Sequence, residues 1–199
     1  MTGALRRVVL ASPLLLGAAA TSCSTEGGYG GPSVGVGSVA PLTLRVDNVS
    51  KHDVYVTVDE DGVVFEVKRQ SEPLVTVRGC HPECDFGCGC DTCAPTVTRV
   101  RRIAPGQSFA MTWEAVHYVI QPCADQAACS CVERWPMTAG RHSVEVRGFD
   151  AVVGGVPAPE DPDVVVGAAM AETASECTGM SMFDLAGGAE VVVGLRCAS

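Results

Sequence analysis

Short segments in which apolar and polar residues alternate dominate the chain after residue 40, and this pattern restricts the folds open to it. In the first such segment Leu42, Leu44 and Val46 alternate with polar residues. Alternation with a period of two predicts half-buried β-strands rather than helices. Strands are predicted at 42–47, 54–58, 63–68, 73–78, 96–103, 108–120, 142–149 and 190–197. One short helix is predicted within 168–182.

Turn signals separate these segments and favour a single antiparallel β-sandwich. The pairs Pro-Gly at 105–106 and Ala-Gly at 139–140 are examples. The Asp-Glu-Asp-Gly sequence at 59–62 predicts a tight turn between the second and third strands, because glycine and acidic residues tolerate positive φ. The chain is therefore predicted to be all-β.

The N-terminal 40 residues have the composition of an export signal followed by a linker. Arg6 and Arg7 precede an apolar run at 8–20, and its 13 residues are too few for a bilayer core that needs about 20. A basic start, a short apolar run and small residues before a cleavage point predict a secretory signal peptide. Six glycines among the 17 residues of 24–40 predict a flexible tether.

The end of this signal resembles the lipobox of bacterial lipoproteins, because small residues at 20–22 lead into Cys23. The resemblance implies that Cys23 is acylated, and Ser24 after it resembles cargo sent to the outer membrane. Ala20 stands where the family prefers leucine, and cleavage after Ala20 would instead release a soluble secreted or periplasmic protein. The expected domains are a signal peptide at 1–22, a lipid-anchored tether at 23–40 and a β-sandwich domain at 41–199.

The formal net charge of −9 bears on the partners. An acidic surface repels phosphate backbones, so no nucleic-acid partner is expected. The expected partners are the membrane, through the lipid anchor, and an unidentified envelope protein or polymer.

Three structural motifs between residues 42 and 149 resemble the immunoglobulin-like β-sandwich of bacterial intracellular proteinase-inhibitor domains. They are the segment 44–50, the segment from Pro105 to Trp113, and Ala-Gly-Arg-His at 139–142 followed by alternating valines. The resemblance implies a single antiparallel immunoglobulin-like sandwich, here with disulfide-rich loops. Those domains are cytoplasmic and cysteine-poor, and no reactive loop can be matched here, so proteinase inhibition follows from fold analogy alone.

Eleven cysteines are the strongest chemical feature of the chain. One is Cys23, five are clustered (Cys80, Cys84, Cys88, Cys90 and Cys93), three form a second group (Cys123, Cys129 and Cys131), and Cys177 and Cys197 stand apart. Thiols of exported proteins are oxidised, so disulfides are predicted. Because both groups are odd in number, each must send a bridge outside itself, and the simplest solution links the two groups. Cys177 and Cys197 are predicted to pair.

The first cysteine group allows a metal-binding or redox interpretation as well. Thiolates and imidazole suit zinc or copper(I). The candidate ligands are Cys80, His81, Cys88, Cys90 and Cys93. Only Cys90 and Cys93 have the spacing of a ligand pair, so disulfides are favoured, and no metal or cofactor is expected.

No catalytic constellation is apparent, and the protein is predicted not to be an enzyme. The four histidines (His52, His81, His117 and His142) form no metal-binding pair and surround no nucleophile, and they are predicted at the surface or in turns. Trp113 is predicted in the core, and the acidic run at 160–163 is predicted to be a solvated loop. The sequence favours a lipid-anchored cell-envelope protein whose disulfide-stabilised β-sandwich is a binding or structural module. An extracytoplasmic metal-binding or redox protein and a proteinase inhibitor are the alternatives.

Overall fold

A computed structural model describes residues 40–59, 62–77, 79, 81–89, 97–124, 126–185 and 190–198. The predicted signal peptide, Cys23 and nearly all of the tether lie outside these residues. Within them the chain forms thirteen strands and a short 3-10 turn at Cys84–Phe86. The strands are β1 (Leu42–Asn48), β2 (Val54–Val58), β3 (Phe65–Arg69), β4 (Glu72–Leu74), β5 (Arg99–Ile103), β6 (Ser108–Trp113), β7 (Val116–Cys123), β8 (Gln126–Pro136), β9 (Arg141–Phe149), β10 (Val152–Ala158), β11 (Asp161–Met170), β12 (Glu176–Asp184) and β13 (Glu190–Cys197).

Eleven of these strands form one sheet, and β7 and β8 form a separate two-stranded ribbon. The order in the large sheet is β10-β11-β5-β2-β9-β12-β13-β1-β6, with β3 beside β9 and β4 beside β3. Most neighbours are antiparallel, but β1 and β13 are parallel from Thr43 opposite Glu190 to Asn48 opposite Leu195. The all-β prediction is confirmed, whereas the purely antiparallel arrangement is wrong at this pair. Parallel neighbours need a long connection, which the chain between β1 and β13 supplies.

The turn predicted between β2 and β3 is confirmed. The Asp59 N–H donates to the Gly62 carbonyl at 2.8 Å, and the Gly62 N–H donates to Asp59 Oδ1 at 3.0 Å. Gly62 has a φ of 128°, which favours glycine. Only Val58 and Val63 form a bridge across this turn. Both strands pair with β9. β2 lies opposite residues 148–149 of β9, and β3 lies opposite residues 143–146.

The core confirms the predicted alternation. The apolar residues predicted to point inward on β1, β2, β3, β9 and β13 are buried or packed against the core. The Phe65 ring of β3 lies 5.1 Å from the Trp113 ring of β6, although these strands are not neighbours in the sheet. Trp113 also lies 6.4 Å from the ring of Phe183 on β12. The sheet therefore folds over, and its β6 end packs across the core.

Several predicted boundaries are wrong. Residues 108–120 are two strands, because the chain turns at Ala115, whose φ is 54°. Residues 121–123 belong to β7 and residues 126–136 to β8, where no strand was predicted. The helix predicted within 168–182 is absent from the described residues there, because β12 pairs along its whole length with β9. Tertiary pairing outweighs the local helix propensity of such a short segment.

The acidic run at 160–163 was predicted to be a solvated loop, but Asp161 and the two residues after it begin β11. It closes the turn between β10 and β11 and pairs with arginines on β5. The ion pairs are Glu160 with Arg99 at 2.8 Å, Asp163 with Arg102 at 3.1 Å, and Asp161 with Arg101. A hydrogen bond from the Asp163 N–H, together with Arg101, holds the pKa of the Asp161 carboxyl below its usual value.

Asn48 ties three chain segments together at the end of β1. Its side chain is 1% exposed, and Nδ2 donates to the carbonyls of His52 at 2.8 Å and Ile103 at 2.7 Å. Its Oδ1 accepts from the Ser50 N–H at 2.9 Å. Its backbone exchanges hydrogen bonds with residues 106 and 107. The buried bond joins β1 to the end of β5, and the bond to His52 joins β1 to the segment that precedes β2.

We predict that Asn48→Leu destabilises the protein by about 3 kcal/mol, because the buried hydrogen bond to the Ile103 carbonyl and the bond to the His52 carbonyl are both lost. The measurement is urea denaturation followed by circular dichroism. The control is Val49→Ala, since Val49 is 52% exposed, and this variant should unfold within about 0.5 kcal/mol of the parent. Equal effects of the two substitutions would contradict the role assigned to Asn48.

Candidate functional site

Two disulfides attach the segment 81–89 to the β7–β8 ribbon. Cys84 is bonded to Cys131 with a Cα–Cα distance of 4.9 Å, and Cys88 to Cys123 with a Cα–Cα distance of 6.2 Å. Backbone hydrogen bonds reinforce them, since Gly89 and Ser130 exchange N–H donations at 3.2 and 3.1 Å. This agrees with the prediction that the two cysteine groups are linked. We call residues 81–89 and the ribbon together the disulfide cap.

The structure describes three of the remaining cysteines. Cys177 and Cys197 are bonded and lie opposite each other on β12 and β13, in agreement with the predicted pair. Cys129 is disulfide-bonded as well. The predicted participants Cys80, Cys90 and Cys93 lie outside the described residues.

The alternative metal site loses one of its proposed ligands, because the Cys88 sulfur is bonded to Cys123. His81 Nδ1 lies 3.0 Å from the hydroxyl of Ser130. In the described ranges no group of three or more His, Cys, Asp or Glu side chains could hold a metal ion. A different candidate site is a groove beside the start of the ribbon.

A groove of about 360 Å³ lies between the start of the ribbon, the end of β6 and the turn after β2. Its walls come from two regions of the chain that are far apart in sequence, one between residues 59 and 77 and one between residues 111 and 118. They are formed by Asp59, Val63, Phe65, Thr76, Val77, Met111, Thr112, Trp113, Glu114, Val116 and Tyr118. We call this space the β6 groove.

Aromatic side chains form part of the apolar lining of the β6 groove. Phe65 is 9% exposed and Trp113 is 8% exposed, so both belong to the core as well as to the groove. The Trp113 Nε1–H is buried and has no hydrogen-bond partner in the described part of the chain. This nitrogen is inaccessible, so it is a cost to the core and does not offer a donor to a ligand in the groove.

Backbone and side-chain contacts hold the walls of the β6 groove in place. The Tyr118 N–H donates to the Val75 carbonyl at 2.7 Å, and the Thr76 hydroxyl donates to the Phe65 carbonyl at 2.8 Å. These bonds fix the segment 75–77 between β3 and β7. The opposite wall is fixed by Met111, whose sulfur accepts from the Val63 N–H at 3.3 Å. The walls therefore move little relative to the core.

The charged residues that line the β6 groove are both acidic. Asp59 lies at the turn after β2, and Glu114 follows β6 directly. Glu114 forms an ion pair with Arg134 of the ribbon, and this glutamate side chain is 64% exposed. An exposed pair of this kind contributes little and exchanges partners readily. The groove thus favours a cationic ligand over an anionic one.

The histidines differ from the prediction at one position. His142 is only 1% exposed, its Nδ1 lies 2.9 Å from the Gly140 carbonyl oxygen, and its ring stacks on Phe183. Placement at the surface or in a turn is therefore wrong for His142, because its strand position on β9 points inward. His52 lies exposed beside Asn48, as predicted. Burial lowers the pKa of His117, which sits in the ribbon opposite Trp135.

Comparison with protein-family models, curated proteins and solved structures found no match to this chain. Separately, no helix of the described residues has both the length and the apolar character needed to cross a membrane.

We predict that the double substitution Cys84→Ser and Cys131→Ser destabilises the protein by about 2–4 kcal/mol, because the unfolded chain gains freedom. It should also expose the ribbon to trypsin after Arg134. The matched control is Cys177→Ser with Cys197→Ser, which removes a bridge of the large sheet and should leave cleavage at Arg134 slow. Urea denaturation and timed digestion measure the two effects. Equal cleavage of both variants would contradict the proposed attachment.

A second prediction concerns pH. Because the pKa of His117 is lowered in the folded state from its ordinary value of 6.5, the unfolded chain takes up the proton first as pH falls. His117 therefore costs stability as pH drops below about 6.5, until pH falls below its folded pKa. The free energy of unfolding should fall less between pH 8 and pH 5.5 in His117→Gln than in the parent. An identical fall in both proteins would contradict this assignment.

Proposed function

We propose that the protein is a lipid-anchored envelope protein, not an enzyme, and that it acts as a binding module through the β6 groove. The observation that carries the proposal is a groove of about 360 Å³ beside the core, lined by the apolar side chains of Phe65, Met111 and Trp113. Ligand sites in proteins are typically mostly apolar and contain few polar groups. An immunoglobulin-like sandwich with the disulfide cap on one end is the architecture that we propose for the domain.

Three disulfides are typical of a protein that folds in an oxidising, extracytoplasmic environment. This environment supports export by the predicted signal at residues 1–22. Acylation of Cys23 would then retain the protein at the outer membrane. A flexible tether of 17 residues would hold the domain about 20–25 Å from the anchor on average. A groove presented at that distance can reach a partner of the envelope.

The other candidate functions have less support. A metal-binding or redox role needs thiolates, and Cys84, Cys88, Cys123 and Cys131 are consumed in bridges. Proteinase inhibition would need a reactive loop that the sequence does not supply. We therefore retain binding as the proposed activity.

The anchor is tested with Cys23→Ala. We predict that the parent protein incorporates a labelled fatty acid and sediments with membranes, because multiple acyl chains anchor stably. The variant should lose the label and become soluble after cell disruption. A label that persists in the variant would contradict acylation at Cys23.

The groove is tested in living cells with a photoreactive amino acid at Thr112, which lines the β6 groove and is exposed. The matched control position is Thr178 on β12, which is exposed and outside the groove lining. We predict adducts from position 112 and none from position 178. Adducts at both positions in equal amounts, or at neither, would contradict a binding role for this groove.

A further inference from the structure

The outer edge of β6 lacks the features that usually protect an edge strand. β6 ends the strand order of the large sheet, with β1 as its strand neighbour within the described residues. Its sequence Ser-Phe-Ala-Met-Thr-Trp contains no proline, glycine or charged residue. Natural proteins commonly blunt such edges with charges, proline or bulges, because an open edge pairs with other chains.

The opposite end of the sheet is protected in this way. β10 contains Gly154 at a φ of 69° and Gly155 at 79°, followed by Pro157, where the pairing register shifts. These features hinder the addition of another strand. β10 therefore has protective features that the β6 sequence lacks, and this difference indicates that the open edge of β6 has a function.

The β6 groove reaches the C-terminal half of this edge, since Met111, Thr112 and Trp113 are the β6 residues that line it. Successive residues of a strand point to opposite faces. Met111 and Trp113 face the core and Thr112 faces outward, yet all three line the groove. A space bounded by both faces must include the edge between them. An extended segment lying in the groove is therefore placed beside the free N–H and C=O groups of β6.

The lining defines the chemistry of that segment. Its backbone would pair with β6, and its apolar side chains would contact Met111 and Trp113, which line the groove. Asp59 and Glu114 favour a basic side chain. A second copy of this chain does not fit, since each copy carries a net charge of −9 and the same two carboxylates at the groove.

We propose that an extended, basic segment of a partner protein binds in the β6 groove by adding a strand to the outer edge of β6. The inference rests on the proposed function, since it names the ligand class of the same groove. Main-chain hydrogen bonds supply affinity in this mode, and the pockets for alternate side chains supply specificity.

The test uses the full chain in detergent and three capped octapeptides. The first alternates valine with threonine and carries two lysines, the second has glutamates in place of the lysines, and the third is the lysine peptide with N-methyl groups on alternate residues of its pairing edge. Binding is followed by the amide resonances of β6 and the indole N–H resonance of Trp113. The indole N–H of Trp135, which donates to Glu133 at 2.9 Å, is an internal control.

We expect the lysine peptide to shift the β6 and Trp113 resonances and to leave the Trp135 resonance in place. The glutamate and N-methylated peptides should bind at least tenfold more weakly. Asp59→Asn with Glu114→Gln should reduce lysine-peptide affinity about 5–10-fold, because exposed charge pairs contribute modestly. Asparagine keeps the acceptor that the Gly62 N–H uses. The control Glu172→Gln with Asp184→Asn removes two exposed carboxylates outside the groove lining and should leave affinity unchanged.

Equal affinity for the lysine and glutamate peptides would overturn the proposal, as would full binding of the N-methylated peptide. Concentration-dependent dimerisation that shifts the β6 resonances would also overturn it, in favour of self-pairing. These outcomes leave the proposed function intact if position 112 still forms adducts in cells. Loss of those adducts, with peptide binding retained, would instead contradict the cellular binding role.

Discussion

The contact between Trp113 and Phe65 is the interaction on which the rest of the structure depends. Their rings lie 5.1 Å apart in an edge-to-face arrangement, and they connect strands that share no hydrogen bonds. Aromatic pairs of this geometry contribute about 0.5–1.5 kcal/mol beyond the area that they bury. This contact holds the β6 end of the sheet over the core, and the same two side chains line the β6 groove. The same aromatic contact therefore stabilises the fold and forms part of the candidate site.

The disulfide cap stabilises a part of the molecule that the core does not reach. Among the described strands, β7 and β8 of the ribbon pair with each other and with no other strand, and their exposed faces carry Ile120 and Trp135, each about half exposed. An isolated two-stranded ribbon is marginally stable in water. Two bridges and the hydrogen bonds of Pro82 and Gly89 with β8 fix it in place. The cap thereby keeps Val116 and Tyr118 in position as one wall of the β6 groove.

The sequence predicted the strands in which large apolar residues alternate with polar ones. β1, β9 and β13 are of this kind, with valine and leucine at every second position. β10 was missed because glycine, proline and alanine occupy four of its seven positions and hide the period of two. β12 was missed because the small Gly179 lies between its buried residues Cys177 and Phe183 and interrupts the apolar period. The break at Ala115 was missed because alanine rarely adopts a positive φ. The position of Trp113 in the core was predicted correctly, but its groove was not, because the walls come together only in the folded chain.

The central claim is that, within the described residues, β6 pairs with β1 on one side and leaves its outer edge open at the groove that Trp113 lines. Hydrogen–deuterium exchange resolved to single amides in the full chain tests it most directly, without any ligand. The account predicts that, within Ser108–Trp113, the amides bonded to β1 exchange slowly and the intervening amides exchange quickly, because they face solvent. Slow exchange at every amide of β6, matching the amides of β9 that are paired on both sides, would contradict the account.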